Sequence, residues 1–300
     1  MKVPYKVPKI KHDFALYRRD LENSLQASLK SHPSPQHTFF KVTYPLFVLL
    51  ESLSNSDYFV DPSQQILLNE YLEQGDKKNI AKIARKLMNK DEQSQFIKRG
   101  VLKNQFTPYL KELYSDTLLL LNNYYLNHYR GCYITLRCLL EDLYRHLYYK
   151  DHPQEFWAMM TDFDEHSLSL SPRFFREYLP RTSFLQPLSR MTHQFKPIKG
   201  DEDKNIFQWN DELYSKTSSY VHASKLAYMS RFSSNAEFAF NPDESEQFTK
   251  TAVNVITLSV VFLILAHFEY VLKFNDYETS LILETFEPKV KHNFRQFVNI

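Results

Sequence analysis

The chain has 300 residues, a net charge of +2, and 43% hydrophobic against 24% charged residues, proportions that exclude a disordered or fibrous protein. Only 4 residues are glycine, where ordinary usage would give roughly 20. Rossmann, P-loop and multi-hairpin β folds need glycine at positive φ or beside phosphate, so the scarcity argues against all three.

The first twelve residues are basic and broken by proline, with no apolar core segment, so they do not read as a secretory signal. The first fifty carry 8 Lys/Arg against 3 Asp/Glu, the balance of a solvated tail or of an arm for anionic surfaces. Asp13 caps a helix predicted to run to about Lys30, with Phe14, Tyr17, Leu21, Leu25 and Leu29 on one face. Pro45 is expected to open a second apolar helix through Leu53. Asp61-Pro62 and Gly75 bracket a third, and Asp76 begins a fourth. These form an N-terminal helical region, residues 1–106.

Thr107-Pro108 repeats the cap-plus-proline signal, and helical pattern then runs without proline to Asp151. That is too long for one globular helix, and a break is predicted near Asn122–Asn127. The second helix, about His128 to Lys150, carries Arg137, Glu141 and Arg145 at i, i+4 and i+8 on an otherwise apolar segment. Such a stripe must be solvated, paired or lining a site. Cys132 and Cys138 lie on it about 240° apart, cannot pair, and read as two core thiols in a reducing compartment. A proline-rich connector, 151–204, follows. Its Asp162, Asp164, Glu165 and His166 read as a solvated loop.

A helix is predicted over Asp211–Phe232, and another over Pro242–Phe274. Within the latter, Ala252 to Tyr270 averages a hydropathy of roughly 1.8, inside the range of a membrane span. Asn254, Thr257, Ser259, His267 and Glu269 interrupt it, so it reads as a buried core helix, without stable membrane insertion. The chain is therefore expected to be an all-α helical bundle, residues 107–300 forming its C-terminal part, in the cytoplasm.

Two segments carry the candidate chemistry. The first is the charged stripe. The second is Leu213-Tyr214-Ser215-Lys216-Thr217-Ser218-Ser219-Tyr220-Val221-His222, where a histidine suited to proton transfer stands among small and aromatic residues. Tyr129, Arg137, Leu140 and Glu141, followed by Lys216 and His222, resemble the HEPN-like helical families over residues 108–150 and 205–272. Those families show a tyrosine-to-arginine-to-glutamate pattern on one helix and a basic residue a few positions before a histidine on a later one.

The resemblance implies metal-independent RNA cleavage, with a base acting on the ribose 2′-hydroxyl and a cation stabilising the phosphorane. It also implies a homodimer, and a role of the stress or phage-defence kind in bacteria. Lys216 departs from the pattern, because lysine cannot make the bidentate phosphate fork of arginine. The catalytic set expected is His222, Lys216, Glu141 and Arg137, converging where the two helices face each other. A second-ranked set is Arg145 and His146 with His152, an Arg-x6-His spacing that ends at Pro153.

No HExxH, CxxC, G-x-S-x-G or glycine-rich loop is present, and neither metal nor cofactor is expected. The alternative is a non-catalytic helical module that uses the same bundle to dimerise or to bind a protein partner.

Overall fold

The computed structural model describes residues 38–55, 107–152, 170–186, 188, 205–222 and 240–286, with isolated positions at 19, 22, 23, 26, 30 and 291. The helices predicted from Asp61-Pro62 and Asp76, and the acidic cluster of the connector, lie outside these; of the helix predicted from Asp13 only the isolated positions 19, 22, 23, 26 and 30 are described, each of them helical. Among the described residues every regular element is helical and there is no strand, as the glycine scarcity predicts.

We number the helices α1 (Thr38–Asn55), α2 (Thr107–Tyr125), α3 (Tyr129–Asp151), α4 (Pro172–Tyr178), α5 (Ile206–Val221), α6 (Pro242–Ala266), α7 (Phe268–Val271) and α8 (Asp276–Leu283). A 3₁₀ turn, Leu179–Arg181, continues α4. Helix α3 is the axis: α2, α4, α5 and α6 all pack on it, while α1 packs on α2 and α6 and α8 packs on α1.

The ends of the helices follow from capping chemistry. The break expected near Asn122–Asn127 falls at Asn127, the one described non-glycine residue with positive φ, 56°. Asn127 N–H donates to Tyr124 O at 3.0 Å and His128 N–H to Asn123 O at 2.9 Å. This is the paired closure of a Schellman motif, with asparagine in the left-handed position that glycine usually fills. A glycine appears one turn later for another reason. A Cβ on Gly131 would stand 2.6 Å from His128 Nδ1, so only hydrogen leaves room for that ring.

Four boundaries differ from the sequence reading, one of them the end of α5, which falls at Val221 with His222 as its C-cap rather than at Phe232. Helix α1 starts at Thr38 and holds Pro45 inside it, because Phe39 and Val42 extend the buried face one turn upstream. Helix α5 begins at Ile206, five residues before Asp211. Asn205 accepts from Phe207 and Gln208 N–H while the Gln208 side chain accepts from Asn205 N–H, a capping box. The apolar helix from Pro242 ends at Ala266 rather than Phe274, with His267 as its C-cap.

The core is one cluster. Phe248 of α6 sits at its centre, with ring centroids of Phe39, Tyr124 and Tyr133 each 5.5 Å away. It thus joins α1, α2, α3 and α6. Aromatic contacts of this kind add about 0.5–1.5 kcal/mol each beyond the area they bury. Residues 38–55, read as part of an N-terminal region, contribute Leu46, Leu49, Leu50 and Leu53 to the same core. An 18-residue window of α6 has a mean hydropathy of 1.9, and 78% of it is buried inside the bundle. Its apolar character is therefore met by packing, with Phe262, Leu263 and Ile264 almost wholly enclosed. Cys132 is buried as expected, but Cys138 is exposed, because α3 turns that face outward between Arg137 and Glu141.

One polar contact lies deep in this core. His146 of α3 and His267 at the end of α6 bring Nε2 to Nε2 at 2.7 Å, both essentially without exposure. One neutral ring donates and the other accepts. Burial, aided by the charge of Lys150, lowers the pKa of His146 to about 3 and pushes His267 well down. A histidine with a depressed folded pKa stabilises fully above its unfolded value of about 6.5 and loses that contribution as pH falls toward the folded value. Urea unfolding should therefore show stability falling below pH 6.5, with a slope approaching about 1.4 kcal/mol per pH unit for each imidazole. The double variant His146→Gln/His267→Gln should flatten that acid limb; an unchanged limb would count against the pair as its source.

Candidate functional site

Helices α3 and α5 are fastened together beside the charged stripe. The rings of Tyr133 and Tyr220 stack at 3.6 Å and 6°, and Arg130 Nε donates to Tyr220 O at 3.4 Å. Deeper in, Tyr144 OH donates to Asn210 Oδ1 at 2.8 Å. These contacts fix the register in which α5 presents Tyr214 and His222 to α3.

The site is assembled from that register. Arg137 Nε donates to Glu141 Oε1 at 2.8 Å, the i, i+4 contact the stripe predicts. Arg137 Nη2 donates to Tyr214 OH at 3.3 Å, and Tyr214 OH donates in turn to the same Glu141 Oε1 at 2.9 Å. Arg137 Nη1 reaches His222 Nε2 at 3.1 Å across 85 residues of chain. The carboxylate, the phenol and the guanidinium thus form a closed ring of hydrogen bonds, with the imidazole attached at its outer edge.

Arg137 and Glu141 are only 18% and 17% exposed, whereas His222 is open to solvent at the end of α5. Burial works against the Arg137 charge, but the bonds and charge of Glu141 and Tyr214 outweigh it and hold the pKa above the ordinary value. Burial and the neighbouring Glu141 raise the Tyr214 phenol, so it stays protonated and keeps a hydrogen to donate.

Three of the four residues expected to converge therefore do so: Arg137, Glu141 and His222. Lys216 does not join them. It stands two residues after Tyr214, about 200° round the helix, and is exposed. Among the described residues none pairs with it. Helical geometry, which the linear spacing to His222 ignores, turns it to another face.

The second-ranked set does not assemble either. Arg145 pairs with Asp142 at 2.8 Å and Glu141 at 3.9 Å. His146 points into the core against His267. His152 caps the end of α3, its Nδ1 3.0 Å from Tyr148 O and its ring stacked on Tyr148 at 4.3 Å.

The sequence reading missed two contributors. Tyr214 lies eight residues before His222, slightly over two turns, which is the signal that could have placed both on one side of α5. Arg176 comes from α4 in the proline-rich connector and offers no signal at all. Its guanidinium lies 4.5 Å from the Tyr214 ring centroid, and its Nε is 2.9 Å from Asp211 Oδ1.

Beyond Glu141 the seam is acidic. Asp116 of α2 is raised to about 7 by burial, by the charges of Asp142 and Glu112, and by its hydrogen bond with Asp142. Among the described residues no group of three or more His, Cys, Asp or Glu is disposed to hold a metal.

No family model, curated protein or solved structure matches this chain.

Glu141 accepts from both Arg137 and Tyr214 and lies near Arg145, so its loss leaves two half-buried donors without an acceptor. Glu141→Ala should destabilise the fold by about 1–3 kcal/mol. Glu141→Gln, which keeps one acceptor oxygen, should cost less. Chemical denaturation of the two variants beside the wild type checks the order.

Proposed function

We propose that the chain is a metal-independent endoribonuclease of the HEPN-like kind. The observation that supports this reading best is the 3.1 Å contact between Arg137 Nη1 and His222 Nε2, a cation and a proton acceptor held together at a solvent-open helix end. Arg137 takes the part that the resemblance gave to Lys216, and as a guanidinium it has the fork that a phosphate needs.

The chemistry follows from these groups. A phosphodiester entering the site accepts hydrogen bonds from the outer edge of Arg137, and in doing so frees the His222 Nε2 lone pair. That nitrogen takes the proton of the ribose 2′-hydroxyl. The 2′-oxygen attacks phosphorus, the bond to the 5′-oxygen breaks, and the leaving oxygen takes a proton from a water whose hydroxide is neutralised by the proton on His222, restoring the neutral imidazole. The products are a 2′,3′-cyclic phosphate and a 5′-hydroxyl. Arg137 stabilises the charge that grows on the phosphorane. Glu141 and Tyr214 keep the guanidinium oriented.

Incubation with single-stranded RNA in the presence of a chelator should give cyclic-phosphate ends. His222→Ala and Arg137→Ala should each lower the rate by about 100-fold or more. Cleavage unchanged in His222→Ala overturns this reading.

A second reading has its own observation. Leu118 and Leu119 on α2, and Leu126 just past its end, are 44%, 51% and 37% exposed. A leucine stripe of this kind suits a non-catalytic module that dimerises or docks a protein. Under that reading, Leu119→Asp lowers the sedimentation coefficient, and RNA is untouched by the wild type.

A further inference from the structure

We infer that Tyr214, braced by Arg176, is a positioning residue that holds Arg137 as a hydrogen-bond donor to His222 Nε2 and so keeps the resting imidazole in its Nδ1–H tautomer. The importance of this for RNA cleavage rests on the function proposed above; the tautomer itself does not.

A guanidinium has five N–H donors and no lone pair. Its contact with His222 Nε2 at 3.1 Å can therefore only be an N–H···N bond in which the imidazole accepts. A neutral imidazole that accepts at Nε2 carries its hydrogen at Nδ1, because the hydrogen bond made by one ring nitrogen sets the protonation of the other. A free histidine side chain in water favours the opposite form, so the protein must hold this one in place.

The hold is a chain of directed contacts. Glu141 alone would fix Arg137 at Nε but leave the plane of the guanidinium free to pivot about that bond. Tyr214 adds a second point at Nη2, and its own hydrogen is committed to Glu141, so its oxygen faces Arg137 as an acceptor. Two anchored nitrogens leave the third, Nη1, aimed at His222.

Tyr214 is in turn held from the side. Arg176 stacks its guanidinium on the ring at 4.5 Å, and Asp211, three residues earlier on α5, binds Arg176 at 2.9 Å. The Tyr144 ring also packs against that of Tyr214, with centroids 6.0 Å apart and the planes tilted by 46°. A residue of the connector thereby acts on His222 through two intermediates without touching it.

The test is nuclear magnetic resonance of the full chain labelled with ¹⁵N-histidine, recorded at pH 8 without nucleic acid. The His222 ring is identified by its loss in His222→Ala. In the wild type, Nε2 should resonate as the unprotonated nitrogen and Nδ1 as the protonated one. Tyr214→Phe keeps the ring and removes only the hydroxyl; the ratio of Nδ1–H to Nε2–H forms should fall about fivefold, the equivalent of one ordinary hydrogen bond. Arg176→Ala should lower the ratio in the same direction, and Arg176→Lys, which restores a cation over the ring, should recover part of it.

A wild-type His222 protonated at Nε2 overturns the inference. So does a ratio unmoved by both Tyr214→Phe and Arg176→Ala. The expected tautomer in a protein that leaves RNA intact refutes the proposed nuclease and leaves this inference standing. RNA cleavage by a protein whose His222 is Nε2–H does the reverse.

Discussion

One helix must satisfy four neighbours at once. Helix α3 is packed by α2, α4, α5 and α6, and buries Leu136, Leu139, Leu140, Leu143 and Leu147 completely. Little of its circumference is left for charge. Arg137, Glu141, Asp142 and Arg145 therefore share one half-buried seam, where each charge needs a partner within reach. They answer that need among themselves, and the residues that complete the arrangement come from the helices on either side. The geometry of the site is thus a consequence of how tightly α3 is enclosed.

The enclosure also explains a contrast between two histidines. His222 and His146 both contact a nitrogen of a side chain from another helix. His146 meets an imidazole inside the core, where charge on either ring would be stranded. His222 meets a guanidinium at the open end of α5, where solvent and ligands can compete for the same hydrogen. The same side chain is a packing element in one place and a solvent-open hydrogen-bonding group in the other, and the difference lies in burial.

Much of this was legible in the sequence where local chemistry decides. Thr107-Pro108, the break at Asn127 and the start at Pro242 follow from residue types that favour caps and turns, and the structure has them there. The stripe of Arg137, Glu141 and Arg145 was visible because helical spacing is regular. Illegible features depend on partners distant in sequence. Pro45 lies within α1 because tertiary burial of Phe39 and Val42 outweighs a missing hydrogen bond. His146 reads as a member of the second-ranked candidate set until His267 arrives from 121 residues away. The contact of Tyr214 with Arg176 exists only once α4 and α5 are set side by side. Lys216 errs the other way: it matched by counting along the chain, but the turn of the helix sends it elsewhere.

The outward turn of α3 at Cys138 gives the molecule a natural attachment point. The chain has 2 cysteines, and Cys132 is sealed in the core while Cys138 is exposed next to Arg137. Partial desolvation, with the carboxylates Asp116, Glu141 and Asp142 nearby, raises the Cys138 thiol, so it reacts slowly but alone. A maleimide fluorophore or nitroxide added to the unaltered protein would settle on this one sulfur, beside the ring of Arg137, Tyr214 and Glu141. Its emission or line shape would then report occupancy of the seam in real time, with no engineered cysteine needed.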